Sequence, residues 1–286
     1  MGQVSQLLRR CIINVDKPIG MTSNEVVVEI KTNFNLKRCG HTGTLDPNVS
    51  GVLIVGLENA TKAMPVLMGL DKEYEGLMHL HKNVDKKKLE EIISENFIGE
   101  INQIPPVKSH VARKSRKREV YYFNILEKNE KNVRFKTKVQ AGTYIRKLIH
   151  DIGEKLGIGA QMKELRRVKV GHFSIEDSHT LDEIKRACEE WKSGNETHIK
   201  NILIPIEQAI PHIKKVYVKD SSISSIRNGA PVMASDITKL EQMGRNEMVG
   251  IFSNENELIA IGLSKINIEG TIDKMNKSVI RINRVF

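Results

Sequence analysis

The sequence predicts a mixed α/β protein in which strands interleave with helices, followed by a small, mostly β unit of about 70 residues. Three observations carry this. Apolar runs with strand and helix periods alternate between residues 11 and 191. From about Lys214 the runs become short and β-like, separated by turns rich in Gly, Asn and Ser. A chain of 286 residues also has room for two domains of roughly 100–200 residues each.

Residues 11–15 form a short apolar run ended by Asp16-Lys17-Pro18-Ile19-Gly20, which reads as a strand leaving into a loop. Thr22-Ser23-Asn24-Glu25 is a capping box: the Thr side chain and the Glu three residues on satisfy each other's free amides, and Val26, Val27 and Ile30 supply the helix behind it. Residues 38–51, RCGHTGTLDPNVSG, fit neither period and predict a shaped loop that runs into the buried strand Val52-Leu53-Ile54-Val55. Residues 74–81 alternate as a half-buried strand, and Asp85 can cap a helix carrying Leu89, Ile92, Ile93 and Phe97. Residues 120–140 predict a hairpin with its polar turn at 127–131, and the pattern then turns helical around Ile145, Leu148 and Ile149. A second capping box, Thr180 to Glu183, opens a helix reaching Trp191. The polar stretch 192–201 is the candidate boundary or surface loop, and strands are expected at 216–218, 248–252, 258–261 and 279–282.

Lysine and arginine total 45 against 35 aspartates and glutamates, a formal charge of +10. Such an excess favours an anionic partner, because each phosphate neutralised releases a counterion. With 40% hydrophobic and only 5% aromatic residues, the composition excludes collagen-like, prion-like and wholly disordered chains. No stretch approaches the roughly 18 apolar residues of a spanning helix, and the start lacks a signal-peptide core, so a soluble intracellular protein is expected. Cys11, Cys39 and Cys188 are odd in number and contain no CxxC pair, which predicts core thiols.

Chemistry has few places to reside. Asp46 stands between Leu45 and Pro47 among Gly40, Gly43 and Gly51. Pro47 biases it away from helix and the glycines allow close approach, so it reads either as a held acid or as a turn aspartate bonded to its own backbone. His41 reads either as a structural histidine or as a base. Between residues 105 and 118, Lys108, Arg113, Lys114, Arg116, Lys117 and Arg118 form a charge run that suits a phosphate backbone, a solvated surface or an import signal; the whole-chain charge favours the first. Arg146, after Gly142-Thr143-Tyr144-Ile145, and the Leu165-Arg166-Arg167 stretch say little alone.

In order, the segments Asn14-Val15-Asp16-Lys17-Pro18, Gly40-His41-Thr42-Gly43-Thr44-Leu45-Asp46-Pro47, Lys72-Glu73-Tyr74, Gly142-Thr143-Tyr144-Ile145-Arg146 and Glu164-Leu165-Arg166-Arg167 resemble the TruB family of RNA pseudouridine synthases, in particular its dyskerin-like archaeal and eukaryotic branch. Residues 72–81 and 103–107 favour that branch. Thr42, where the branch would have glycine, and Gln161, where it would have histidine, depart from it. The resemblance implies a catalytic domain over 11–205 with a central, mostly antiparallel sheet, and a small β-barrel PUA domain over 212–286 against which residues 1–10 would pack.

It also implies roles. Converting uridine to pseudouridine breaks an N-glycosidic bond and rejoins the base through carbon, which calls for no redox, nucleotide or metal cofactor but for a carboxylate near the sugar carbon. Asp46 matches the catalytic aspartate, Tyr74 the aromatic that holds the flipped base, Arg146 the arginine that pairs with the aspartate, and Leu165 an apolar wall. Lys17 with Pro18 matches the site floor, His41 an RNA contact, and the basic 104–118 segment the loop that grips RNA. The implied function is isomerisation of ribosomal RNA uridines directed by a box H/ACA guide. Implied partners are a small zinc-ribbon protein, a glycine-rich β-barrel protein and a kink-turn-binding ribosomal protein. A guide-independent enzyme acting on the tRNA T-loop, and an RNA-binding scaffold without catalysis, are the alternatives. The implied location is the cytoplasm for an archaeal cell and the nucleolus for a eukaryotic one.

Overall fold

A computed structural model describes residues 3–105, 114–267 and 277–286. The short helix α1 (Gln3–Leu7) precedes β1 (Cys11–Lys17), which runs two residues beyond the apolar run because Asp16 and Lys17 pair with Val52 and Gly51. Helix α2 (Ser23–Asn33) starts on the expected capping box, with Thr22 and Glu25 bonded reciprocally. Inside the stretch that fits neither period lies a short strand, β2 (Cys39–His41), paired antiparallel to β3 (Val49–Leu57), which is buried at every position. A 3-10 turn and α3 (Met64–Met68) lead to β4 (Lys72–Leu80), and α4 (Lys86–Phe97) begins where Asp85 accepts from the Lys87 amide.

Strands β5 (Gly99–Gln103), β6 (Arg116–Asn129) and β7 (Asn132–Val139) follow, the last two joined by the tight turn Glu130-Lys131. Then come α5 (Ile145–Lys155), β8 (Ala160–Val170), β9 (Phe173–Ser174), α6 (Leu181–Lys192) on its Thr180–Glu183 capping box, α7 (Thr197–Ile202), β10 (Ile204–Pro205) and α8 (Ile206–Ala209).

Among the described residues these strands form one sheet in the order β10-β1-β3-β8-β4-β7-β6-β5, with β2 and β9 paired onto β3 and β8. The strand pairings are antiparallel apart from that of β3 with β8, where Val49, Ser50 and Gly51 run parallel to Leu165, Arg166 and Arg167. One half, β4 to β8, packs Met78, Leu80, Phe123 and Phe135 against Leu89, Ile93, Leu148 and Ile152 of α4 and α5. The other half is covered on both faces. Ile13, Val15, Leu53 and Val55 meet α2, α6 and α7, while the alternate side chains Ile12, Val52 and Ile54 point the opposite way. That double burial explains why β1 and β3 read as unbroken apolar runs.

The polar stretch 192–201 is not a boundary. Helix α7 arises within it and buries Ile199 and Ile202 in the cluster that holds β1 and α6. A second sheet starts at β11 (Lys214–Val218), followed by α9 (Asp220–Arg227), β12 (Val232–Met233), β13 (Ile237–Leu240), β14 (Met248–Phe252), β15 (Leu258–Ser264) and β16 (Ser278–Val285). Its order is β12-β16-β15-β14-β11-β13, and register shifts in each antiparallel pairing bend it into a nearly closed, barrel-like sheet.

The two sheets share a core. Ile12, Val52, Ile54 and Phe173 from the first pack in one cluster with Phe252, Leu258 and Ile261 from the second. The residues before 11, expected on the tail, divide between the two. Val4 and Leu8 are buried with Cys11 and Ile13, and Arg10 reaches across. Its guanidinium donates to Glu207 at 2.9 Å and to Glu257 and the Leu258 carbonyl. None of the described helices is long and apolar enough to cross a membrane.

Replacing Arg10 with alanine leaves the half-buried Glu207 without its cation. We expect Arg10→Ala to destabilise the protein by about 1–3 kcal/mol. Hydrogen exchange read by mass spectrometry should show protection lost first at 257–261 and 206–209, and unchanged protection there would refute the junction described here.

Candidate functional site

Asp46 sits on a loop whose backbone is held at many points while its carboxylate faces solvent. The Thr42 amide donates to the Ile54 carbonyl (3.0 Å), the Gly20 amide to the Pro47 carbonyl (2.9 Å) and the Val49 amide to the Asp46 carbonyl (3.0 Å). The buried Ser23 hydroxyl accepts from the Leu45 amide at 2.8 Å and donates to the Leu45 carbonyl at 3.1 Å. The side chain turns to Arg146, in the first turn of α5, whose Nη2 donates to Asp46 Oδ2 at 2.8 Å. Both groups are more than half exposed, so the pair is open to a substrate. Of the two readings of Asp46, the held acid is the one the structure has.

Leu45 and Val49, which bracket Asp46, are buried with Tyr74 of β4, Leu165 of β8 and Ile145 of α5 in one cluster. The pairing of Tyr74 with Arg167, and of Val49 with Leu165, is what brings these walls together. The Asp46–Arg146 pair is therefore flanked in sequence by Leu45, Val49 and Ile145, which lie in the same buried cluster as Tyr74 and Leu165.

The described residues have three buried cationic side chains, each bonded to backbone carbonyls. Lys17 Nζ donates to Pro18 (2.7 Å) and Met21 (2.6 Å). Lys72 Nζ donates to Met68 (2.7 Å) and Leu70. Arg167 donates through Nε to Val52 (2.7 Å) and through Nη2 to Gly43 (3.1 Å). Burial lowers the pKa of Lys17, and the Arg167 charge adds to this; Asp46 and Glu25 oppose it. Lys72 is brought down to about 8 by burial and by Arg167, with Asp71 opposing.

His41 stands on β2, half-buried, with Nε2 3.3 Å from Asn24 Oδ1. Burial and then the Arg167 charge lower its pKa, which favours the neutral ring. Of the basic run, Lys108 and Arg113 lie outside the described residues, and Lys114 is exposed. Arg116, Lys117 and Arg118 belong to β6, paired with residues 101–103, and not to a loop. Lys117 bonds Glu100 at 2.8 Å, while the Arg118 guanidinium lies against Gly142, at the turn that precedes Arg146.

Sequence reasoning passed over Arg167, Lys72 as a buried group, and the Arg166 ion pair with Asp16 at 2.8 Å. The signal for Arg167 was its phase: two residues from Leu165 on a strand, it points the same way.

A held, solvent-facing carboxylate paired with arginine, a tyrosine buried in the adjoining cluster and a β-barrel-like module on the same core are the features that the resemblance implies for an enzyme that modifies RNA. The description "TruB family pseudouridylate synthase (N terminal domain)" matches residues 31–145, "tRNA pseudouridylate synthase B C-terminal domain" matches 146–211, and "PUA domain" matches 214–286. The chain is 41% identical over 285 residues to a Nanoarchaeum equitans protein named "Probable tRNA pseudouridine synthase B", covering 99% of this chain and 81% of that one. A Pyrococcus abyssi protein of the same name is 42% identical over 278 residues, covering 96% and 83%. In solved structures, a chain of "Crystal Structure of a Cbf5-Nop10-Gar1 Complex" superposes with a TM-score of 0.93 at 40% identity, covering 99% of this chain and 87% of that one. A chain of "Structure of H/ACA RNP bound to a substrate RNA containing 2'-deoxyuridine" gives 0.91 at 39%, covering 100% and 87%. This chain belongs to the TruB family: it is an RNA pseudouridine synthase with a PUA domain.

The buried Lys72 makes stability depend on pH. Its folded value, about 8, lies below the ordinary 10.5, so below pH 8 the ammonium is charged in both states and its burial opposes folding in full. Between those values the unfolded chain holds more protons and the fold gains. We expect the stability of the wild type relative to Lys72→Met to rise from pH 8 to 10.5 in chemical denaturation, and a flat difference would contradict it.

Proposed function

We propose that this chain is the catalytic subunit of a box H/ACA type ribonucleoprotein, which converts RNA uridines to pseudouridine at positions chosen by a guide RNA. The observation that carries this is the match over 99% of the chain, PUA domain included, to the Cbf5 complex with Nop10 and Gar1. Proteins of those two kinds, with the kink-turn-binding protein implied by the resemblance, are the partners the reading requires.

In this reading Asp46 is the catalytic carboxylate. The C1′–N1 bond breaks, the base turns, C1′ bonds to C5, and the C5 proton is lost while N1 gains one, so atoms balance without a co-reactant. A carboxylate can stabilise the electron-poor sugar carbon, attack it, or take a proton, and each needs an oxygen held at one place. Arg146 holds it there by a charge-assisted bond. The uridine leaves its stack to lie against Tyr74, and Leu165 closes the apolar side. Lys17 keeps the floor 18–21 in position, His41 as a neutral ring meets RNA, and residues 104–118 hold the strand. The PUA domain reads the ACA box and lower stem of the guide.

A second reading, guide-independent action on tRNA, is favoured by the names of the relatives and by Thr42 in the aspartate loop. The purified chain, with Nop10-type and Gar1-type partners and an H/ACA guide, should form pseudouridine at the guide-specified position of a ribosomal RNA fragment, measured by mass spectrometry. Robust modification of a bare tRNA transcript without guide would replace this reading with the second. No product on either substrate would leave only an RNA-binding scaffold.

A further inference from the structure

Arg167 has a burial and bonding pattern that an ordinary core residue does not need. Its side chain is 1% exposed. Taking a guanidinium out of water costs several kcal/mol unless its donors are met, and buried arginines are ordinarily met by carboxylates. Among the described residues no carboxylate lies within ion-pair distance of this one. Its two bonds go to carbonyls on either side of Asp46: Gly43, three residues before it, and Val52, six residues after it.

The local backbone is shaped around this fork. Gly43 has a φ of +77°, a conformation that side chains disfavour, and in it the carbonyl reaches the guanidinium. A β-carbon placed at Gly51, at φ +105°, would stand 2.1 Å from the Arg167 carbonyl oxygen, so β3 approaches β8 this closely only with glycine there. Arg167 thus rests on a backbone join that glycine makes possible, and its planar side chain spans entry and exit of the loop. Lysine could keep the charge, but one ammonium cannot reproduce the fixed geometry of Nε and Nη2.

We infer that Arg167 is a positioning residue for the reaction: it staples both ends of the 43–52 loop and so fixes the Asp46 carboxylate relative to Arg146. The inference rests on the assignment of Asp46 as the catalytic carboxylate. Arg167 touches neither substrate nor the carboxylate; it acts through the loop. Its loss should slow the chemical step and leave RNA capture intact, because the proposed reading assigns most of that capture to the 104–118 segment and the PUA domain. A misplacement of about 1 Å can lower a rate by about 100-fold.

The test uses the full chain with its RNA substrate and four variants, each checked for fold by circular dichroism: Arg167→Lys, Gly43→Ala, the two combined, and Asp46→Asn. Gly43→Ala strains the loop without disturbing the buried charge, since the new methyl would lie 3.7 Å from Arg167 Nη1, an ordinary contact. Arg167→Lys and Gly43→Ala are each expected to lose about 100-fold in kcat with KM and RNA affinity within about 2-fold. The double variant should lose no more than the worse single one, because both act through one loop; independent defects would multiply. Wild-type kcat in a folded Arg167→Lys or Gly43→Ala protein, multiplying losses, or RNA affinity falling in step with rate would each overturn the inference. Should Arg167→Lys fail to fold, Gly43→Ala alone decides by its kcat. Full activity of Asp46→Asn would instead defeat the assignment of Asp46 itself.

Discussion

Where β3 runs parallel to β8, three residues of each strand join the two halves of the sheet. On one side stand β1 to β3 with α2, α6 and α7; on the other, β4 to β8 with α4 and α5. The site draws from both. Lys17, His41 and Asp46 come from the first half, while Tyr74, Arg146 and Leu165 come from the second. The Asp46–Arg146 pair spans the two halves that this join connects. The closeness of the join depends on Gly51, and its interior charge is met by carbonyls of the loop it supports, so the stability of the sheet and the shape of the site are one problem.

A second constraint fixes the site to the tail. The faces of β1 and β3 that point away from α2 are buried against Phe252, Leu258 and Ile261, and Arg10 adds polar bonds to Glu207 and Glu257 at the same junction. An apolar core continuous across two sheets resists hinge motion in a way that a polar contact does not. In the proposed reading, the shared core would keep RNA held by the PUA domain and a uridine at Asp46 at a set separation, which suits a guide whose paired region must end at one place. In the same reading the +10 charge serves capture, whereas the chemistry is assigned to an acid.

Much of the fold was legible because its signals are local. Both capping boxes, the Asp85 cap, the buried run at Val52 and the hairpin after Val120 depend on neighbours within a few residues. Strand β8 was not, because Lys163, Glu164, Arg166 and Arg167 hide its alternation, and the buried member of that set is satisfied by Gly43 and Val52, more than a hundred residues earlier. Helix α9 was hidden by a serine-rich sequence that reads as a turn; Ser222 and Ile226 become helical by packing on the tail sheet. In the site, Asp46 could be read as a held acid from Pro47 and the glycines, yet its partner Arg146 lies one hundred residues on, and only the family resemblance supplied it. The buried cations had no resemblance role beyond Lys17, and their pairing with carbonyls is a property of tertiary structure alone.

The proposed catalysis requires the carboxylate to be held at one place and not merely present. Asp46→Glu tests this most directly, since it keeps the acid and adds one methylene, moving the oxygens by about 1.5 Å while the loop stays closed. Single-turnover formation of pseudouridine should fall by about 100-fold or more with RNA affinity unchanged. A glutamate variant that reacts at the wild-type rate would contradict the claim that position, set by Arg146 and the loop behind it, is what makes this acid catalytic.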